Sequence, residues 1–96
     1  IVAELDVTDD EAITRVFASV LAQWGTLDIV VANAGVGHHG YIGKLAFDKV
    51  RDVVNTNVTG FMATVDAAMR CFRVQGYGHL VGISSVAAFR GMPAGG

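Results

Sequence analysis

The stretch "GISS", Gly82 to Ser85, ends an apolar run on two adjacent hydroxyls. A serine at the end of a buried strand can hydrogen-bond a substrate oxygen, or it can cap a local turn. No G-x-S-x-G elbow surrounds Ser84 or Ser85, which argues against an α/β-hydrolase nucleophile. Asn57 stands in the middle of an apolar helical stripe. A buried amide without a partner costs about 1–3 kcal/mol, so Asn57 must bond to protein, water or ligand. Asn33-Ala34-Gly35 directly follows another apolar run. Gly35 and Gly37 let backbone approach a ligand closely, and Asn33 can bridge neighbouring strand ends. A plain exit from strand to loop would use the same residue types. Asp6 ends a third apolar run; it can accept a hydrogen bond from a ligand amine or open a turn. His38 and His39 are adjacent and have no further His or Cys cluster nearby, so no metal is expected there. Their Gly-rich loop places them along a substrate pocket or in solvent.

The elements that position these residues follow from hydrophobic periodicity. "IVAELDV" reads as a short strand. Thr8 and Glu11 have the spacing of a capping box at a helix start. Ile13, Val16, Phe17, Val20, Leu21 and Trp24 then form one helical face, ending at Gly25 as a left-handed C-cap. "LDIVVANAG" is a nearly unbroken apolar run, the mark of a strand covered on both faces. "VGHHGYIG" reads as loop. A long helix is expected from Leu45 to Arg73, with Phe47, Val50, Val54, Asn57, Phe61, Val65, Ala68 and Phe72 on one stripe. Gly60 interrupts it at a cost of about 1 kcal/mol against Ala. "HLVGISS" is a third strand and "FRGMPAGG" a loop. Arg15 and Arg70 read as solvated helix charges, and Cys71 as buried.

The order β-α-β-α-β, with helices long enough to cross over, predicts an open α/β fold of three parallel strands. Ligands in such sheets bind beyond the carboxyl ends of the strands. Asp6, Asn33 to Gly35, and Ser84-Ser85 are therefore expected along one edge.

Composition narrows the function classes. With 52% apolar and 17% charged residues in 96, this is one small globular unit. A net charge of −2 argues against nucleic acid or an anionic membrane as the main partner. No apolar run reaches the roughly 18 residues of a membrane span. The single Cys71 excludes an internal disulfide and fits a reducing compartment, so a cytoplasmic location is expected. The abrupt start and stop suggest a piece of a longer protein.

Taken together, the segments resemble the short-chain dehydrogenase/reductase family over essentially the whole chain. "LDVTD" resembles the strand end facing the cofactor's adenine. "VVANAG" resembles the N-A-G segment beside the cofactor, with Ala32 in place of the usual first Asn. "NTNVTGF" resembles the N-x-x-G helix segment that carries the catalytic Asn, here Asn57 with Gly60. "GHLVGISSVAA" resembles the strand that delivers the catalytic Ser, here Ser85. The resemblance implies the central part, residues 1–96, of a single Rossmann-type NAD(P)-binding domain. It implies NAD or NADP as cofactor and hydride transfer between nicotinamide and a carbonyl or alcohol substrate. Asp6, Val7, Asn33, Ala34 and Gly35 would then meet the cofactor. Ser85, Val36 and His38 would meet the substrate, and Asn57 would hold a water in a proton relay. It also implies a homodimer or homotetramer through the helix 45–73, with Val58, Met62 and Met69 off its main stripe.

The family's Gly-rich phosphate loop is not in this sequence, and neither is its Tyr-x-x-x-Lys pair. The residues four positions after Tyr41 and Tyr77 are Leu45 and Val81. The chain alone is therefore expected to be inactive and its sheet edges prone to aggregate. Three alternatives stay open: a nucleotide-sugar epimerase or dehydratase, a non-catalytic Rossmann-like binding or regulatory module, and, more weakly, a methyltransferase.

Overall fold

A computed structural model of the chain describes residues 1–91; Met92 to Gly96, the end of the expected final loop, lie outside the described residues. Helix α1 spans Asp10–Trp24, strand β1 Ile29–Ala32, helix α2 Phe47–Val54, helix α3 Phe61–Gln75 and strand β2 His79–Gly82. Between α2 and α3 runs a wide turn, Asn55–Gly60, of π-helical pitch. The long helix expected from 45 to 73 is thus one continuous helical rod interrupted by that turn. A short 3₁₀ turn, Val86–Ala88, follows β2.

β1 and β2 pair in parallel, Ile29 opposite His79 and Ala32 opposite Gly82. Bonds from the His79 N–H to the Asp28 carbonyl (2.9 Å) and from the Ile83 N–H to the Ala32 carbonyl (3.1 Å) extend the ladder at both ends. Gln75 sets this register from the side. Its Nε2 donates to the carbonyls of Leu27 (2.6 Å) and Tyr77 (2.9 Å), and its Oε1 accepts from the Leu27 N–H at 3.3 Å. One amide at the end of α3 therefore ties down the segments leading into both strands.

The expected first strand is not one. Ile1 to Asp6 carry no strand pairing, because a strand exists only where its backbone finds a ladder partner. Its side chains lie instead against α1 and β1. Ile1 and Ala3 share a groove with Val16, Phe17 and Val20, and Leu5 and Val7 share a cavity with Val30 to Ala34. The capping box also gives way. The Thr8 hydroxyl donates to the Asp6 carboxylate at 2.7 Å, so Asp9 becomes the N-cap and its Oδ1 accepts from the Ala12 N–H at 3.1 Å. Gly25 closes α1 with φ +81°, its N–H on the Leu21 carbonyl at 2.8 Å.

The core is small: Ala12 and Ile13 of α1, Ala32 of β1, and Ala68 and Phe72 of α3. Helices α1 and α3 pack together, and α3 packs on β1. Among the described residues only one face of β1 is covered, against the expectation of burial on both faces. Val30 and Ala32 point inward, whereas Ile29 and Val31 are more than half exposed, as period-2 alternation requires. Trp24, expected in the core, is 62% exposed because it sits on the last turn of α1. Cys71 is half-buried. Among the described residues no helix is long and apolar enough to cross a membrane.

Gly60 is needed for close approach. A Cβ there would lie 2.7 Å from Val7 Cγ2 and 3.0 Å from the Val7 carbonyl oxygen. Gly60→Ala gains about 1 kcal/mol of helix propensity but overpacks this contact at about 1–3 kcal/mol. We expect a lower midpoint in denaturant unfolding of the whole protein. Adding Val7→Ala should restore part of it, since the backbone contact remains. An unchanged or raised midpoint for Gly60→Ala would show that Val7 does not press on the helix.

Candidate active site

Parallel pairing brings the carboxyl ends of β1 and β2 out side by side. Asn33, Ala34 and Gly35 leave β1 there, and Ile83, Ser84 and Ser85 leave β2. These six residues line one cavity of about 360 Å³ together with Asn57, Phe61 and Ala88. A second, larger cavity of about 520 Å³ lies beside it, and Asn57 and Ser85 line both. Val36, His38 and His39 belong to the larger cavity only.

The wide turn explains how Asn57 reaches this place. A π-helical turn holds more residues than an α turn, so it shifts the phase of the apolar stripe. Thr56 and Gly60 become the buried positions, and Asn57, expected on the buried stripe, is exposed instead. Its side chain is nonetheless engaged. Oδ1 accepts from the Val36 N–H at 2.8 Å, and Nδ2 donates to the Val36 carbonyl at 2.8 Å. The amide thus pairs with the backbone of Val36 as a strand neighbour would. It pins the start of the loop that leaves β1 against the helix.

Ser85 ends its strand in a tight turn. Its Oγ accepts from the Ala87 N–H at 3.2 Å, and its carbonyl accepts from the Ala88 N–H at 3.0 Å. A hydroxyl has one proton and two lone pairs. With a lone pair held by Ala87, the proton of Ser85 is left to donate towards either cavity. Ser84 lines the smaller cavity.

The loop after β1 has a second anchor that the sequence did not disclose. His38 Nε2 lies 3.0 Å from Asp52 Oδ2 on α2. No spacing rule links positions 38 and 52; the pair arises because the loop folds back over the helix. Among the described residues no three His, Cys, Asp or Glu side chains gather in a way that would hold a metal ion.

Asp6 and Val7 part company. Val7 shares a third cavity with Asn33 and Ala34. The Asp6 carboxylate turns back on its own chain and accepts from the Thr8 N–H (2.9 Å) and hydroxyl (2.7 Å). The backbone bond, and then the hydroxyl, hold its carboxyl below the usual carboxylate range.

The family model for short chain dehydrogenases matches residues 1–96. An uncharacterized oxidoreductase of Myxococcus xanthus (strain DK1622) is 45% identical over 89 residues, 93% of this chain and 35% of its own length. The solved structure of NAD+-bound xylitol dehydrogenase superposes with a TM-score of 0.88 at 32% identity, over 94% of this chain and 35% of that one. ElxO with NADP bound superposes with a TM-score of 0.89 at 28% identity, over 97% of this chain and 38% of that one. The chain thus spans little more than a third of the length of the relatives it matches. The parallel pair of strands and the helices packed beside it agree with this result, and the chain belongs to the short chain dehydrogenase family.

Proposed function

We propose that this chain is the central part of the single NAD(P)-binding domain of an oxidoreductase that moves a hydride between a nicotinamide and a carbonyl or alcohol carbon. The observation that carries the reading is the pair of cavities meeting at Asn57 and Ser85. One has room for the reacting end of a cofactor and the other for a substrate. Relatives of similar fold hold NAD+ and NADP.

The residues around the smaller cavity suit such a cofactor. Asn33, Ala34 and Gly35 expose backbone with little side-chain bulk. A Cβ on Gly35 would come within 3.4 Å of Asn57 Oδ1 and narrow the space. Val7 would approach the adenine side with Asp6 behind it. The chemistry a nicotinamide supplies there is the hydride exchange: the alcohol gives up its carbinol hydride and its hydroxyl proton, leaving a carbonyl compound and reduced nicotinamide.

The chain's own residues place the substrate for that exchange. Ser85 donates a hydrogen bond to the substrate oxygen, keeping its proton, and stabilises charge as it develops there. Asn57 holds the Val36 loop in place, and the second Nδ2 hydrogen of its amide is left to hold a relay water. Val36 and His38 wall the substrate side. The general acid/base, a Tyr with Lys four residues on by family resemblance, is not in this sequence. It would belong to the remainder of a protein of the relatives' length, and the chain alone would be inactive.

Val58, Met62 and Met69 stay exposed, and their spacing suits pairing with a second copy of the helix. We place the whole protein in the cytoplasm as a dimer or tetramer. The test is to mix the whole protein with NAD+ or NADP+ and a panel of alcohols. We expect reduced nicotinamide to form with one of the two. No reduction and no calorimetric binding with either would overturn the reading.

A further inference from the structure

The walls of the larger cavity differ from those of the smaller, and they name a class of substrate. That class rests on the proposed role of Ser85 as the partner of the reacting oxygen. Away from Ser85, Ile42, Leu45, Val50, Val53, Val54 and Ala87, all aliphatic or small, make much of the wall, beside the loop residues His38 and His39 and the amide of Asn57. Two of the polar side chains in the same wall already have partners. The Asn57 amide is bonded at both ends to Val36, and His38 Nε2 is bonded to Asp52. Among the described residues no Lys or Arg lines the cavity. On these walls a carboxylate or phosphate would find no guanidinium or ammonium to pair with. A polyol would lay hydroxyls against Leu45, Val50, Val53 and Val54, which offer them no partner. An alkyl chain or ring, by contrast, gains about fourfold in binding for each methylene it buries.

We propose that the substrate is an uncharged alcohol, or its carbonyl counterpart, that carries an apolar chain or ring. Its oxygen lies at Ser85 and its apolar part lies against Leu45, Val50, Val53 and Val54. Ile42, on the loop, closes the outer side.

The test uses the whole protein and a series of unbranched 2-alkanols from 2-butanol to 2-octanol, with 3-hydroxybutyrate as the charged comparison. Turnover is followed by nicotinamide reduction, and binding by saturation-transfer NMR. We expect kcat/KM to rise about three- to fourfold per methylene and 3-hydroxybutyrate to be the poorest substrate. Ile42→Asp should flatten the series by raising KM for the long alkanols, and Ile42→Leu should preserve it. Ile42 is 70% exposed, so neither change should unfold the protein. A flat series, or 3-hydroxybutyrate equal to 2-octanol, would overturn the apolar class and leave hydride transfer standing. Binding that strengthens with chain length, without nicotinamide reduction from any member, would support the class and overturn the oxidoreductase reading. Neither binding nor turnover would overturn both.

Discussion

Ser85→Ala in the whole protein should lower kcat by roughly 10²–10³ while cofactor affinity stays near that of the unsubstituted protein. The magnitude is that of removing one preorganised donor from a developing oxyanion. The donor is preorganised because its oxygen already accepts from the Ala87 N–H at 3.2 Å, which limits where its proton can point. Losing that single turn contact costs on the order of 1 kcal/mol of stability, since Ser85 is exposed. Fold and activity should therefore separate cleanly. Thermal unfolding, calorimetric cofactor binding and kcat, measured on the same preparation, make the comparison. Ser85→Thr retains the hydroxyl and should keep more turnover than Ala. Turnover of the alanine variant equal to that of the unsubstituted protein would remove Ser85 from the chemistry.

Asn57→Leu should be nearly as damaging, by a different route. Both backbone groups of Val36 lose a partner at 2.8 Å. Val36 is partly exposed, so water takes over much of the lost bonding, and the loss of stability should stay at about 1–2 kcal/mol. Position suffers more. The loop from Val36 to His38 lines the larger cavity beside Ser85, and a displacement of about 1 Å at a reacting site can cost on the order of 10²-fold. We expect kcat to fall and KM to rise together, with faster hydrogen exchange at the Val36 amide. Asn57→Asp is the informative companion. It keeps the acceptor for the Val36 N–H but sets a carboxylate against the Val36 carbonyl. Exchange protection should survive in part while turnover drops. Unchanged exchange at Val36 in Asn57→Leu would show that the side chain does not hold the loop.

Both predictions concern residues that the sequence singles out by type and place, yet the reasons differ from those the sequence suggests. Asn57 is legible as a polar residue in an apolar stripe. Counting at 3.6 residues per turn buries it, whereas the wide turn at Asn55–Gly60 moves Thr56 and Gly60 inward and sends Asn57 to Val36. Periodicity cannot foresee a local change of pitch, because the change is set by what the helix packs on. Gly60 shows the same limit. Its propensity cost is readable from the residue alone; its close approach to Val7 is not.

Elsewhere the division follows the range of the interactions. The helices α1 and α3, the Gly25 cap and the polar residues that follow the apolar runs are dictated locally, by side-chain period and backbone freedom, and the sequence alone determines them. Three features arise only on folding. Ile1 to Asp6 remain outside any ladder, because strand pairing depends on a partner and not on β-propensity. The His38–Asp52 anchor joins positions that no spacing rule relates. The two cavities meet at Asn57 and Ser85 because parallel pairing and the wide turn bring three distant segments to one edge. A sequence carries period and composition along one line, and contacts between distant points on that line are decided by which surfaces pack.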